Sequence, residues 1–230
     1  MARNLIADEV REEHLESMGP RLGPVYNALW NEVAWLHAKW HEYKGLYGEK
    51  PERLELLNRA AGLFFRIVQD SLWEDTLLHL ARLTDPPRSA GRQNLTVSQL
   101  PALVDDLALR EQLEALVTET QSKTQFARDW RNRHIAHRDL AKALGEGAEP
   151  LASASRNHVD EALQALVTFL NKLNTFYLKS TLVFDVITPT TGGVALFYVL
   201  RDGLAAREKR LERLRAGRPD PDDLGPGREV

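Results

Sequence analysis

The stretch Gln125-Phe-Ala-Arg-Asp-Trp-Arg-Asn-Arg-His-Ile-Ala-His-Arg-Asp-Leu140 concentrates groups able to clamp an anion and to move a proton. Between Gln121 and Leu140, Lys123, Arg128, Arg131, Arg133 and Arg138 face only Asp129 and Asp139, and His134 and His137 lie among them. A segment this basic attracts an anion, although most charge runs are solvated faces whose ions pair along the helix at i±3 and i±4. Those positions give Arg133 the partner Asp129 and Lys123 the partner Glu119. Around Arg131 they hold only Ala127, Arg128, His134 and Ile135. Its charge therefore calls for a partner outside its own helix, protein or phosphate. Phe126, Trp130 and His137 share one stripe, so His137 borders the apolar face, either as a satisfied core histidine or as a reactive one. On an ideal helix of roughly 100° per residue, Arg131 and His137 stand about 120° apart. They meet at one phosphate only if the helix is distorted or if two copies face each other.

Helical periodicity supplies the elements that must position this segment. Leu54, Leu57, Ala61, Phe64, Phe65, Val68, Leu72, Leu77, Leu80 and Leu83 recur at three- and four-residue steps from Pro51 to Asp85, which predicts one long helix stopped by Asp85-Pro86-Pro87. Val25 to Tyr47 carries Tyr26, Leu29, Trp30, Val33, Leu36, Trp40 and Tyr43 on an apolar stripe ended by Gly48. Val159, Leu163, Leu166, Leu170, Leu173 and Tyr177 predict a helix over about 156–179 with Ser155 as its cap. Shorter helices are expected over 97–106 and 107–117, then the motif helix over about 118–144, ending at Gly145. A further helix over 194–215 begins apolar and becomes charged. Its alternation of Arg207, Lys209, Arg210, Arg213 and Arg215 with Glu208 and Glu212 is the mark of an exposed, self-paired face, or of an extension of a basic contact surface.

The connections 85–94 and 145–155 read as loops, the β-branched run from Thr181 to Ile187 as extended chain, and 216–230 as a disordered tail. The expectation is an all-α fold: a single bundle of four or more long helices over residues 1–215, with an extra C-terminal helix.

Composition bounds the chemistry. The chain has 230 residues, no cysteine and a net charge of −3. Thiolate metal sites, disulfides and cysteine nucleophiles are excluded, and so is a polycationic field that coats nucleic acid. Any nucleic-acid site must be local. A charged N-terminus without an apolar core and the lack of an apolar run of membrane-spanning length predict a soluble, cytoplasmic protein without membrane contact.

An Arg followed at once by a polar residue and a few positions later by a His, late in a long helix of an all-helical domain, resembles the signature of the HEPN superfamily (higher eukaryotes and prokaryotes nucleotide-binding). Here the match is Arg131, Asn132 and, after five intervening residues, His137. The string Arg-Asn-Arg-His-Ile-Ala-His-Arg-Asp139, with the helix end Leu-Ala-Arg-Leu-Thr-Asp85, is similar to the HEPN branch named after a phage abortive-infection protein of the U type, over about residues 25–205.

The resemblance implies an HEPN-like bundle that dimerises and brings two copies of the motif to one composite cleft. It implies a metal-independent endoribonuclease of a prokaryotic defence or toxin–antitoxin system, needing no cofactor, with RNA as substrate and an antitoxin or nucleotidyltransferase as possible partner. In that reading His137 moves the proton, Arg131 stabilises the transition state and Asn132 orients either of them or the phosphate. His134 is a second base, Arg128, Arg133 and Arg138 contact substrate, and Asp139 orients an imidazole.

Two other classes compete. A helical interaction module would use the same basic face to bind RNA or an acidic protein without cutting. A metal-dependent protein would use His37 and His41 at i, i+4, or His134 and His137 at i, i+3; neither pair brings a third ligand in a recognised order.

Overall fold

The computed structural model describes residues 7–48, 50–136, 149–184 and 192–223, together with 140, 144 and 145. The fold is all-α, as expected. Its helices are α1 (Ala7–Tyr47), α2 (Pro51–Leu83), α3 (Leu107–Lys123), α4 (Gln125–Trp130), α5 (Arg156–Leu178) and α6 (Gly193–Arg215), and a two-stranded hairpin, β1 (Arg88–Ser89) and β2 (Arg92–Gln93), follows α2. Contacts divide the chain into two compact units where the sequence predicts one domain: residues 1–40 with 72–187, and 41–71 with 188–230. The two longest helices, α1 and α2, contribute to both.

In the first unit, α1 is broken at Gly19, whose φ of 74° and ψ of 176° turn the chain back on itself. His14 then hydrogen-bonds Asn27 through Nδ1 at 3.0 Å and meets the Tyr26 ring edge-on at 4.9 Å. The approach is so close that a Cβ on Gly23 would lie 2.7 Å from the His14 carbonyl oxygen. From there the predicted stripe is part of the core: Tyr26, Leu29, Val33 and Leu36 are fully buried, as are Leu77 and Leu80 of α2 and Leu166, Phe169 and Leu170 of α5. Buried polar ends are satisfied across the helices, with Tyr26 Oη donating to Asn174 Oδ1 at 3.1 Å and Trp40 Nε1 to Asp160 Oδ1 at 2.8 Å. Ser155 caps α5 as expected, its hydroxyl accepting from His158 N at 3.2 Å.

The one long helix expected over 51–85 is broken at Ala61 (φ −161°, ψ 67°), and three boundaries also differ from the sequence expectation. The expected helix over 97–106 is two 3-10 turns, Val97–Gln99 and Pro101–Leu103, because Pro101 interrupts the helix and occupies a first-turn position of the second turn. The expected break near Thr118 is absent, and α3 continues to Lys123. The chain breaks instead at Thr124, whose hydroxyl bonds Thr120 O at 2.9 Å and Thr84 Oγ1 at 2.9 Å. The connection 85–94, read as a loop, contains the hairpin, closed by a two-residue turn in which Ala90 (φ 47°) and Gly91 (φ 77°) are both left-handed.

The second unit is built from 41–47 of α1, 51–71 of α2 and α6. Tyr47 Oη donates to Phe65 O at 3.0 Å, and burial pushes that phenol up to about 12. Arg53 caps α1 through Gly45 O at 2.7 Å and lies over the Phe197 ring of α6 at 5.2 Å. The charged half of α6, expected to pair along itself, pairs outward among the described residues: Arg59 of α2 holds Glu208, and Arg213 Nε takes Asp220 Oδ2 at 3.0 Å. Residues 216–223, expected to be disordered, are tied to it: Arg213 Nη2 holds Asp223 Oδ1 at 2.6 Å and Arg210 Nη2 donates to Asp223 O at 2.7 Å. Of the run 181–187, residues 181–184 have no regular structure and the rest lie outside the described residues.

Candidate functional site

The site lies in the first unit, where the C-terminal end of α2 meets α4. Thr84 is the pin. Its hydroxyl bonds Leu80 O at 2.9 Å and Thr124 Oγ1, and its carbonyl accepts from Arg128 Nη2 at 2.8 Å. A guanidinium there satisfies a helix-end carbonyl and opposes the negative pole of the helix.

Asp85, the next residue, is the external partner that Arg131 lacked in its own helix. Arg131 Nη1 donates to Asp85 Oδ2 at 2.5 Å, and both side chains are about four-fifths buried, at 21% and 19% exposure. Arg131 Nε donates to Asn132 Oδ1 at 3.0 Å, so Asn132 helps to fix the guanidinium plane. Arg128 Nε stands 3.9 Å from Asp85 Oδ1, and neither of these two buried atoms has a hydrogen bond. Two cations therefore share one carboxylate and keep a net positive charge. Of the donors on Arg131, Nη2 has no partner among the described residues.

Directly after α4 the helix loosens. Residues Arg131–Ile135 form a π turn, closed by Ala136 N to Arg131 O at 2.8 Å. A π turn inserts a residue into the helical repeat and re-aims the side chains that follow, a local distortion frequent at functional sites. It falls on Arg131, Asn132, Arg133 and His134.

The other expected residues are placed as follows. His134 Nε2 lies 3.5 Å from Glu74 Oε1 of α2, and its ring meets Trp130 edge-on at 5.4 Å. Arg133 directs its donors to Asp129 Oδ1 at 3.4 Å, Pro150 O at 3.3 Å and Glu149 O, while Asp129 Oδ2 accepts from Ala152 N at 2.8 Å. Arg133 thus fastens the segment 149–152 beside the motif. Lys123, assigned to Glu119 from spacing, pairs with Glu161 of α5 at 2.8 Å. His137, Arg138 and Asp139 lie outside the described residues.

A polar chain missed by the sequence reading runs between α1 and α2. Lys39 joins Asp75 and reaches His79 Nδ1 at 3.2 Å; His79 Nε2 faces Glu32 Oε2 at 2.8 Å, which also receives Arg82 at 3.1 Å. Burial, with the charges of Lys39 and Arg82 beside it, lowers the His79 imidazole to about 4 despite Glu32. At neutral pH it is uncharged and passes no net charge along the chain. The signal was present as the polar stripe Asp75, His79, Arg82 at i, i+4, i+7 matching Glu32 and Lys39 at i, i+7. For a metal, the described residues hold no group of three carboxylates or histidines, and His37 stacks on Phe184 at 4.9 Å.

The fold is all-helical, and Arg131 and Asn132 stand at a distorted turn late in a basic stretch of helix. The HEPN family AbiU2 matches residues 20–193 of the chain, and the protein belongs to that family. No curated protein and no solved structure matches it.

Proposed function

We propose that the protein is a metal-independent endoribonuclease of a prokaryotic defence or toxin-type system, working as a homodimer with a composite Arg/His site. The observation that carries this is the held guanidinium of Arg131: Asp85 and Asn132 fix its Nη1 and Nε edges, while Nη2 keeps its donors for an anion. Membership of the HEPN family supports the substrate class.

RNA carries its own nucleophile. In the proposed step the 2′-hydroxyl oxygen bonds to the adjacent phosphorus, its proton passes to a base, and the 5′-oxygen leaves with a proton from an acid. His137 serves as one of these groups, and His134, or His137 of the second copy, as the other. Arg131 meets the charge that grows on the non-bridging oxygens. Arg128 holds the helix end through the Thr84 carbonyl and stands beside Asp85, Arg133 fastens the neighbouring segment, and both keep their assignment to substrate contact. Arg138 and Asp139 keep their assignments to substrate contact and to imidazole orientation. The row Leu63, Phe64 and Ile67 on α2 in the second unit, exposed at 77%, 59% and 56%, supports association with a second copy.

The test is incubation with single-stranded RNA in EDTA. The expected result is cleavage leaving 2′,3′-cyclic phosphate and 5′-hydroxyl ends. Cleavage that needs a divalent metal, or ends of another kind, contradicts the proposal.

A further inference from the structure

Near Asp85 the first unit has a cleft of about 360 Å³ lined by Glu32, Arg82, Asp85, Gln93, Asn94 and Leu95, among others. Two features outside the motif share a face with residues of this lining, Trp35 with Glu32 and Arg88 with Gln93. On α1, Trp35 is 64% exposed, the one exposed tryptophan among the described residues. It lies one helical turn beyond Glu32, on the face shared by Glu32 and Lys39, and points away from the apolar stripe of Leu29, Val33 and Leu36. An indole exposed at 64% contributes little to the core, and its helix neighbours at i−3 and i+4, Glu32 and Lys39, are charged.

The second feature is the hairpin. Arg88 and Arg92 are both exposed, and neither side chain has an ion pair or hydrogen bond among the described residues. The register Arg88↔Gln93 and Ser89↔Arg92 places Arg88 on the hairpin face of Gln93, which lines the cleft, and Arg92 on the other face. The hairpin is a braced arm: Asn94 Nδ2 donates to Pro86 O at 2.9 Å and to Ser89 Oγ at 2.8 Å, and Thr96 Oγ1 to Asp85 O at 2.8 Å. Its cation is presented without a large cost in ordering.

An exposed aromatic face, an uncompensated guanidinium and a polar cleft between them match the chemistry of an unpaired nucleotide strand, whose bases stack and whose phosphates are anionic. We infer that a single-stranded RNA segment next to the cleaved bond stacks a base on Trp35 and lays a phosphate against Arg88, with the cleft between them. The inference rests on the ribonuclease reading for its substrate class. A duplex keeps its bases stacked inside and has nothing to offer Trp35.

The test uses the full chain carrying His137→Ala, so that RNA is bound without being cut, and a labelled single-stranded oligoribonucleotide followed by anisotropy. Trp35→Ala is expected to weaken binding roughly 5- to 100-fold, and Trp35→Phe to retain most of it. Arg88→Ala is expected to weaken binding and lower the salt slope by about one, with Arg92→Ala doing less. RNA is expected to quench a fluorescence component that is missing in Trp35→Phe. Unchanged affinity in Trp35→Ala and Arg88→Ala chains of normal melting temperature overturns the inference. So does a Trp35→Ala chain that changes oligomeric mass but not RNA affinity, which would give Trp35 to a second copy. Wild-type protein that binds RNA through Trp35 and Arg88 yet never cuts it supports the Trp35–Arg88 binding surface, and removes the ribonuclease reading and with it the placement next to a cleaved bond.

Discussion

At the scale of single residues, Asp85 organises the site. Its carboxylate lies between Arg128 and Arg131, and without it two guanidiniums would share a partly buried space with no anion. Asp85→Asn keeps the shape and removes the charge. It is expected to lower unfolding free energy by roughly 1–3 kcal/mol, discounted for partial exposure, and to reduce cleavage by more than the loss of folded protein explains. Chemical denaturation alongside an initial-rate assay checks this; a full rate would mean that Arg131 needs no orienting partner. The sequence showed that Arg131 lacks a partner in its own helix and needs one elsewhere. It did not show which, because the pair spans 46 residues, and nothing local to either residue encodes a contact between helix ends.

At the scale of elements, apolar periodicity predicted the long helices where a stripe is buried, as in α1 and α5; in α2 the helix is broken at Ala61 and the stripe residues Leu54 and Phe64 are exposed, while the Ser155 cap was readable because capping is local. The motif region was less legible. Nothing in Thr118 to Leu144 marks where one helix yields to the next, because the break at Thr124 is decided by a hydroxyl pair with Thr84 and the π turn by packing around Arg131. The hairpin was hidden for a related reason: its turn uses Ala90 in a left-handed conformation, where Asn or Gly would have been the signal. The threonine pair makes its own prediction. Thr84→Val is expected to cost about 1–2 kcal/mol by removing a buried, fully used hydroxyl, and to loosen α4 from α2, read as faster amide exchange at Ala127 and Arg128. Unchanged stability and exchange would show that the pair does not set the break.

At the scale of the whole molecule, the net charge of −3 hides a basic island, so the proposed phosphate capture belongs to one region and not to the surface as a whole. The chain was read as one domain because no linker composition interrupts it. The division into two units falls inside α1 and α2, at residues 40–41 and 71–72, away from the breaks at Gly19 and Ala61, so no helix end marks it in the sequence. Among the described residues no helix is long and apolar enough to cross a membrane. If the row of Leu63, Phe64 and Ile67 joins two copies, sedimentation at micromolar concentration gives the mass of a dimer, and Phe64→Glu shifts it toward monomer and lowers cleavage with it. A monomeric wild-type chain that cuts RNA at full rate would remove the composite site.

The central claim is that Arg131 and His137 do the chemistry together. Its most direct measurement is the single-turnover rate of cleavage of one RNA in EDTA by wild-type, Arg131→Ala and His137→Ala chains of equal folded content. The account predicts a fall of roughly 10²- to 10³-fold for Arg131→Ala and roughly 10²- to 10⁴-fold for His137→Ala. Cleavage at the wild-type rate in both variants would contradict it.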